Sequence, residues 1–139
     1  MSATDKSAGR RALVVDDSRA SRSALCRILN NVGFDAVEAE HGEHALEILR
    51  ADQTIQLLLV DWNMPVMDGL SLITAVRKEG QWTMLPIVMV SAEVDQKQIA
   101  RAVLAGADEY VMKPFDRETL VTKIRALGID TSVDPEVGS

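Results

Sequence analysis

Cysteine, aromatic residues and positive charge are all scarce in this sequence of 139 residues. Its single cysteine, Cys26, cannot form an internal disulfide, and we interpret it as a buried thiol of a protein from a reducing compartment. Fifteen lysines and arginines stand against 21 aspartates and glutamates, which gives a net charge of -6. Because nonspecific nucleic-acid binding depends on clustered cations, this balance argues against a nucleic-acid partner.

Long hydrophobic segments are missing as well. No apolar run approaches the roughly 20 residues that cross a bilayer, and residues 1–9 are small and polar, without the hydrophobic core of a signal peptide. We therefore expect a cytoplasmic protein that is not bound to membranes and that begins with a flexible arm over residues 1–9. His41 and His44 have no cysteine beside them, so we expect no metal site there.

The sequence does contain a regular alternation of apolar and amphipathic segments, over a length suited to one domain. We place this domain at residues 10–128, followed by a polar tail over residues 129–139. The alternation predicts an α/β fold, a doubly wound five-stranded parallel sheet with five helices and right-handed crossovers. The second strand is more mixed in polarity and is expected at a sheet edge. The predicted strands cover residues 12–15, 34–39, 57–60, 86–90 and 110–112.

Polar residues stand where four of these strands end: Asp16-Asp17, Asp61, Ser91 and Lys113. Since the carboxyl ends of parallel strands share the edge where open α/β sheets bind ligands, these distant side chains are expected in one crevice. Asp61 is the strongest candidate, because it follows an unbroken apolar run typical of a strand covered on both faces. Taken one at a time, the acid pair could equally cap a helix, and the lysine could end a solvated loop.

Such a crevice has a definite chemistry. Converging carboxylates repel one another and raise at least one pKa, unless a hard cation such as Mg²⁺ lies between them. Lys113 and Ser91 add an ammonium and a hydroxyl, which are suited to binding phosphoryl oxygens. A carboxylate can itself be a nucleophile and form an acyl phosphate. We therefore predict that Asp61 accepts a phosphoryl group, with Mg²⁺ as the cofactor.

The sequence resembles two-component response-regulator receiver domains over about residues 11–128. The resemblance is carried, in this order, by Asp16-Asp17, Asp61, Ser91 and Lys113-Pro114. Longer motifs match the single-domain, CheY-like chemotaxis regulators within that family, namely DWNMP at 61–65, MDG at 67–69, SAE at 91–93 and YVMKPF at 110–115. The resemblance implies a flavodoxin-like fold with the strand order 2-1-3-4-5.

The resemblance also implies a role for each residue of the crevice. Asp61 is the implied phosphoacceptor, which takes a phosphoryl group from a phosphohistidine on a histidine kinase. Ser91 and Lys113 bind the phosphoryl oxygens, and the Lys113–Pro114 peptide is cis in the family. The implied Mg²⁺ ligands are the side chains of Asp17 and Asp61, the backbone carbonyl of Asn63 and, through water, Asp16.

Further implied roles concern switching and dephosphorylation. Tyr110 is the implied switch residue, which turns inward once Ser91 moves toward the phosphoryl group; the family more often has threonine at this serine position. Asn63 and Glu93 flank the path of a hydrolytic water and tune how long the phosphoryl group lasts. Self-dephosphorylation is expected, but the protein is otherwise not an enzyme.

Regulators of this family contact their targets with a face that corresponds here to residues 94–103, 110 and 115–124. Either Ile99 or Val103 could instead simply pack on the sheet. The expected target of the monomeric protein is a flagellar motor switch or another signalling enzyme. Arg19 and Arg22, just after the acid pair, are expected as solvated helix charges that could contact the kinase. The candidates on the target face are Ile99, Val103, Tyr110 and Lys123.

The main interpretation is a stand-alone response regulator whose phosphorylation switches binding to a downstream protein, in chemotaxis. One alternative is a phosphorelay intermediate that passes the phosphoryl group to a histidine phosphotransfer protein. A haloacid-dehalogenase-type phosphatase also forms an aspartyl phosphate, but it needs Asp-x-Asp where this chain has adjacent Asp16-Asp17. A flavodoxin-like flavin carrier would need a hydroxyl-rich phosphate loop at the place that these two carboxylates occupy.

Overall fold

The computed structural model describes residues 10–92 and 95–131. They contain five parallel strands in the order β2-β1-β3-β4-β5, as the resemblance implied. The predicted arm over residues 1–9, Glu93, Val94 and the tail from residue 132 onward lie outside the described residues. The strands are β1 (Arg11–Val15), β2 (Asp35–Ala39), β3 (Ile55–Asp61), β4 (Ile87–Ser91) and β5 (Glu109–Met112).

In the described residues, five α-helices alternate with the strands, and each begins at a side chain that caps it. They are α1 (Arg19–Asn31), α2 (Gly42–Ala51), α3 (Gly69–Lys78), α4 (Gln96–Ala105) and α5 (Arg117–Ala126), with a short 3-10 helix (Gly80–Trp82) after α3. None of these helices is long and apolar enough to span a bilayer. The caps accept a backbone N–H of the first turn that would otherwise be unsatisfied; they are Ser18, His41, Asp68, Asp95 and Asp116.

The central strands are covered on both faces, as the apolar run at 57–60 predicted. Leu58 and Val60 pack in the layer formed with α2, α3 and α4, whereas Leu57 and Leu59 pack in the layer formed with α1 and α5. All four are fully buried, and each such side chain contributes about 1.5–3 kcal/mol relative to exposure. Strand β2, expected at an edge, is an outermost strand.

Two strands reach one residue further toward the crevice than the sequence predicted. Strand β3 includes Asp61, and β4 ends at Ser91. Asp61 pairs with Val90 in the register of β3 and β4, and Ser91 pairs with Met112 of β5. Backbone pairing between neighbouring strands thus continues past the end of each apolar run. Both polar residues are therefore held by strand backbone rather than by a loop.

Candidate functional site

Three carboxylates meet at the carboxyl edge of the sheet. Asp16 follows the last residue of β1, Asp17 comes next, and Asp61 ends the neighbouring strand β3. One carboxylate oxygen of each lies within 4.8 Å of the others, and we call these residues the acidic cluster. Asp16 is fully buried and Asp61 is 7% exposed, whereas Asp17 is open to solvent. The predicted gathering of distant acids at one edge is therefore present.

The ammonium of Lys113 lies between two of these carboxylates. Its Nζ is 3.1 Å from Oδ2 of Asp16 and 3.3 Å from Oδ1 of Asp61. Lys113 follows the last residue of β5, and its peptide bond to Pro114 is cis, as the resemblance implied. The fold thus brings together an amine and two acids that are 97 and 52 positions apart in the sequence.

The charges at this edge change one another's pKa. Burial raises the pKa of Asp61 to about 6, and repulsion from Asp16 adds to the rise, while Lys113 opposes it. Burial alone would lower the pKa of Lys113, but the hydrogen bond and charge of Asp16, together with those of Asp61, raise it. At neutral pH, the edge therefore presents an ionised Asp61 beside a charged ammonium.

Asp16 is held in place within the acidic cluster by hydrogen bonds to both of its carboxylate oxygens. Its Oδ1 accepts a hydrogen bond from the Ser18 N–H at 2.9 Å, and its Oδ2 accepts one from Lys113. Its own N–H donates to the carbonyl of Ala39 on β2 at 3.2 Å. Because a buried carboxylate is costly without donors, the contacts from Ser18 and Lys113 account for the burial of this side chain. The exposed Asp17 is left facing solvent.

Ser91 completes the edge from β4. It is fully buried, and it lies one residue beyond the register partner of Asp61. Its carbonyl accepts a hydrogen bond from the Lys113 N–H at 2.8 Å, so the serine and the lysine leave adjacent strands side by side. Tyr110 is half-buried and pairs with Met89, two residues before Ser91. The two predicted switch residues thus lie on neighbouring strands.

Gly69 also belongs to this edge, a role that the sequence pattern did not predict. A Cβ at this position would lie 2.3 Å from the carbonyl oxygen of Asp61. The Gly69 N–H donates a hydrogen bond to the carbonyl of Trp62 at 2.8 Å. Only glycine lets α3 begin so close to the end of β3. The Asp68-Gly69 pair before an apolar helix was the available signal. Asn63 lies in the same loop and is exposed.

The expectation that Arg22 is a solvated charge is wrong. Arg22 is only 8% exposed, its Nη1 donates to the carbonyl of Asp16 at 2.8 Å, and its Nε donates to Glu38 at 2.9 Å. Arg19, one turn earlier, is exposed. Helical spacing was the missed signal, since the inward face of α1 consists of Arg22, Leu25, Cys26 and Leu29. The same face buries Cys26, as predicted.

The four predicted target-face residues lie on α4, β5 and α5. Val103 is 57% exposed, so it does not simply pack on the sheet, whereas Ile99 and Tyr110 are half-buried. Lys123 Nζ lies 3.4 Å from a carboxylate oxygen of Glu109. This face therefore combines an exposed aliphatic side chain with a surface ion pair.

Two exposed apolar residues on the same elements were missed. Leu104 follows Val103 on α4 and is 86% exposed, and Met112 on β5 is 46% exposed. Met112 could have been found, because alternate residues of a strand share a face and Tyr110 lies two positions earlier. Leu104 carried no such signal, since a leucine in a helix is more often found on the buried face.

The acidic cluster fits a hard divalent cation. Carboxylate oxygens are the ligands that Mg²⁺ prefers, and the three carboxylates of the cluster outnumber the one ammonium, which contacts Asp16 and Asp61. Solvent reaches the cluster on the side of Asp17, where an open cavity of about 500 Å³ extends toward Glu38 and Glu40. The donor set and its access therefore both suit a magnesium ion.

Fold and edge together define a doubly wound α/β domain with a cation-compatible acidic crevice. Residues 12–125 match the family model of the response regulator receiver domain. The chain therefore belongs to this family of two-component signalling domains.

Named relatives agree with this assignment. A chemotaxis protein CheY homolog of Campylobacter jejuni is 40% identical over 113 residues, 81% of this chain and 87% of that protein. The chemotaxis protein CheY1 of Helicobacter pylori is 38% identical over 116 residues, 83% of this chain and 94% of that protein. The structure of chemotaxis protein CheY4 of Vibrio cholerae matches with a TM-score of 0.81 and 30% identity, over 86% of this chain and 99% of that one. Receiver domains are signalling modules, so the phosphatase alternative is not favoured.

Proposed function

We propose that this protein is a stand-alone response regulator in which Asp61 accepts a phosphoryl group from a histidine kinase. The phosphorylated form then binds a downstream protein. The signalling unit is the domain at residues 10–128, between the arm over residues 1–9 and the tail over residues 129–139. The relatives that match most of the chain carry chemotaxis in their names, which supports chemotaxis as the process.

The observation that carries this proposal is the position of Lys113, within hydrogen-bond reach of both Asp16 and Asp61. A cluster with more acids than cations is a poor way to stabilise a fold, because each buried charge loses hydration. Such arrangements are typical of sites whose chemistry requires them. Here the excess negative charge surrounds a partly protected carboxylate beside an ammonium.

The reaction is a nucleophilic transfer. An ionised oxygen of Asp61 attacks the phosphorus of a phosphohistidine, and the P–O bond forms as the P–N bond breaks. The imidazole leaves with the bonding electron pair and takes up a proton, and Asp61 becomes an acyl phosphate. Lys113 and the Ser91 hydroxyl donate to the oxygens of the transferred group.

Magnesium has a defined place in this proposal. Asp17 and Asp61 would hold it through carboxylate oxygens and Asn63 through its backbone carbonyl, and Asp16 would contribute through water. When bound, the cation offsets the negative charge that the carboxylates and phosphoryl oxygens bring together. Asp16, fixed by Ser18 and Lys113, keeps the ammonium aligned with the transferred group.

Phosphorylation of Asp61 changes the target face through residues of the neighbouring strands β4 and β5. Ser91 moves toward the phosphoryl group, and the half-buried Tyr110 turns inward to fill the space. The change reaches the face that carries Ile99, Val103 and Lys123, where the downstream protein binds. Asn63 and Glu93 control access of water to the acyl phosphate and so set the rate of self-dephosphorylation.

The acceptor is tested by labelling. We expect the protein, incubated with Mg²⁺ and a small acyl-phosphate donor, to gain the mass of one phosphoryl group. Asp61→Asn should gain none, because an amide is not a nucleophile here. The matched control is Asp68→Asn in the same loop, since asparagine still caps α3. Labelling of Asp61→Asn to the wild-type level would show that the acceptor is another residue.

The relay alternative is separated by the direction of transfer. Labelled protein is mixed with a histidine phosphotransfer protein in one experiment and with a flagellar motor switch protein in another. Transfer of the label to the histidine would favour a relay intermediate. Retention on the motor switch protein by the phosphorylated form, without transfer, would favour a terminal regulator.

A further inference from the structure

Arg22 has a buried guanidinium whose two hydrogen bonds lead to different strands. Its Nη1 donates to the carbonyl of Asp16, just after β1, at 2.8 Å. Its Nε donates to Glu38 of β2 at 2.9 Å. The side chain itself reaches the edge from α1, where it shares the inward face with apolar residues. Arg22 therefore connects α1, β2 and the residue that follows β1, Asp16 of the acidic cluster.

The bond to the Asp16 carbonyl acts on both members of the acid pair. A peptide unit is planar, so the direction of the Asp16 C=O also determines the direction of the Asp17 N–H and the placement of its Cα. A buried carbonyl needs a donor, and Arg22 supplies one. Fixing this one plane restricts where the Asp16 and Asp17 carboxylates can point.

Electrostatics alone does not account for Arg22. A positive guanidinium near a cation site opposes cation binding through space. If charge were its whole effect, removing Arg22 would strengthen cation binding. A role in holding geometry predicts the opposite sign.

We propose that Arg22 is a positioning residue for the divalent-cation site, acting through the Asp16–Asp17 peptide. Its guanidinium bridges the Asp16 carbonyl and Glu38, and both bonds are needed to hold that peptide. Arg22 itself touches neither the cation nor the phosphoryl group. The inference rests on the proposed function in so far as the cation is Mg²⁺.

The first test compares Mg²⁺ affinities by calorimetric titration. Arg22→Met removes the donors but keeps an apolar stem, and Arg27→Met removes the same charge from an exposed position of α1. We expect Arg22→Met to bind Mg²⁺ about tenfold more weakly, as is usual when an outer support of a metal ligand is lost. Arg27→Met should stay within about twofold of wild type.

The second test needs no metal. We expect the backbone amide resonance of Asp17 in metal-free protein to shift in Arg22→Met and to stay in place in Arg27→Met. A folded Arg22→Met with wild-type or tighter Mg²⁺ binding and an unchanged Asp17 amide would overturn the proposal.

A third variant covers the case in which Arg22→Met does not fold. Arg22→Lys keeps the charge, but one ammonium cannot reproduce both bonds of the guanidinium, so weaker Mg²⁺ binding and a shifted Asp17 amide are expected. Wild-type values for both would overturn the proposal. If wild-type protein binds no Mg²⁺, the metal part of the proposed function fails, and the Asp17 amide alone decides whether Arg22 holds the peptide.

Discussion

Two cationic side chains stand at opposite ends of the sheet, and they are bonded in opposite ways. At the carboxyl edge, Lys113 contacts two carboxylates of the acidic cluster. At the amino edge, Arg77 of α3 makes six hydrogen-bond contacts of 2.7–3.1 Å, mostly to neutral groups, with the two hydrogens of Nη1 shared among three carbonyls. Its acceptors are the carbonyls of Trp82, Thr83, Leu85 and Gly106 and the carboxylate of Asp108.

The difference indicates that the contacts of the amino edge serve stability, whereas those of the carboxyl edge serve reactivity. The carbonyls around Arg77 lie in the turns before β4 and β5, and a rigid guanidinium satisfies them at fixed geometry. Lys113 instead shares its charge among acids that outnumber it, so the carboxyl edge is strained electrostatically and can exchange partners. Removing the charge of Arg77 should therefore lower stability, whereas removing the charge of Asp61 should raise it.

The largest effect is expected at the amino edge. Arg77→Met should lower the free energy of unfolding by about 4 kcal/mol, because it removes the guanidinium from several partly buried carbonyls and from Asp108, whose Oδ2 keeps only the hydrogen bond from the Ile87 N–H. Urea unfolding measures the change. Arg50→Met, which breaks the surface pair with Glu79, is the matched control and should matter far less. Equal losses in the two variants would contradict the importance of the Arg77 contacts.

Two glycines give the next comparison. Gly69→Ala should cost about 3 kcal/mol, because its Cβ would collide with the backbone of Asp61 and the loop must move. Gly80 lies at the opposite edge, and a Cβ there would have no atom within 4 Å, so Gly80→Ala should be neutral or stabilising by less than about 1 kcal/mol. Thermal or urea unfolding of both variants tests this. A neutral Gly69→Ala would mean that the edge is not tightly packed.

The electrostatic strain at the carboxyl edge predicts a stabilising substitution. The pKa of Asp61 is raised from 3.8 to about 6, so between these values the unfolded chain ionises first and the folded state loses stability as pH rises. Asp61→Asn, which avoids this loss, should be more stable than wild type by about 2 kcal/mol at pH 7. The advantage should shrink below pH 6 and vanish near pH 4.

Metal-free protein and urea unfolding at several pH values are required for this comparison. Asp68→Asn serves as the control, since its carboxylate caps α3 at the surface. A difference between Asp61→Asn and wild type that is independent of pH would show that the carboxylate is not strained.

Much of the fold follows from local pattern. The run at 57–60 predicted a strand buried on both faces because four adjacent apolar residues without polar alternation are typical of one. The exact ends of the strands were harder to predict from the sequence. Asp61 and Ser91 are polar, and they belong to the sheet because their backbones pair with neighbouring strands. Backbone pairing is a property of two strands, and a single segment does not contain it.

The candidate site divides in the same way. Asp16, Asp61 and Lys113 could be placed together because each lies at or just after the end of a strand and parallel strands share an edge. Arg22 could not, since its partner is the carbonyl of Asp16, and every residue carries a carbonyl. Side-chain identity therefore predicts contacts between charged groups better than contacts between a side chain and the backbone.

The smallest effect on stability is expected on the outer face of α4. Leu104 is 86% exposed, so Leu104→Ser should lower the free energy of unfolding by only about 0.5 kcal/mol, mainly through helix propensity. Leu120→Ser on the buried face of α5 is the contrasting variant and should cost several times more. The same Leu104→Ser protein, once phosphorylated, should bind a flagellar motor switch protein more weakly than wild type. A large stability loss would instead assign Leu104 to the core, whereas unchanged binding would place the target face elsewhere on the domain.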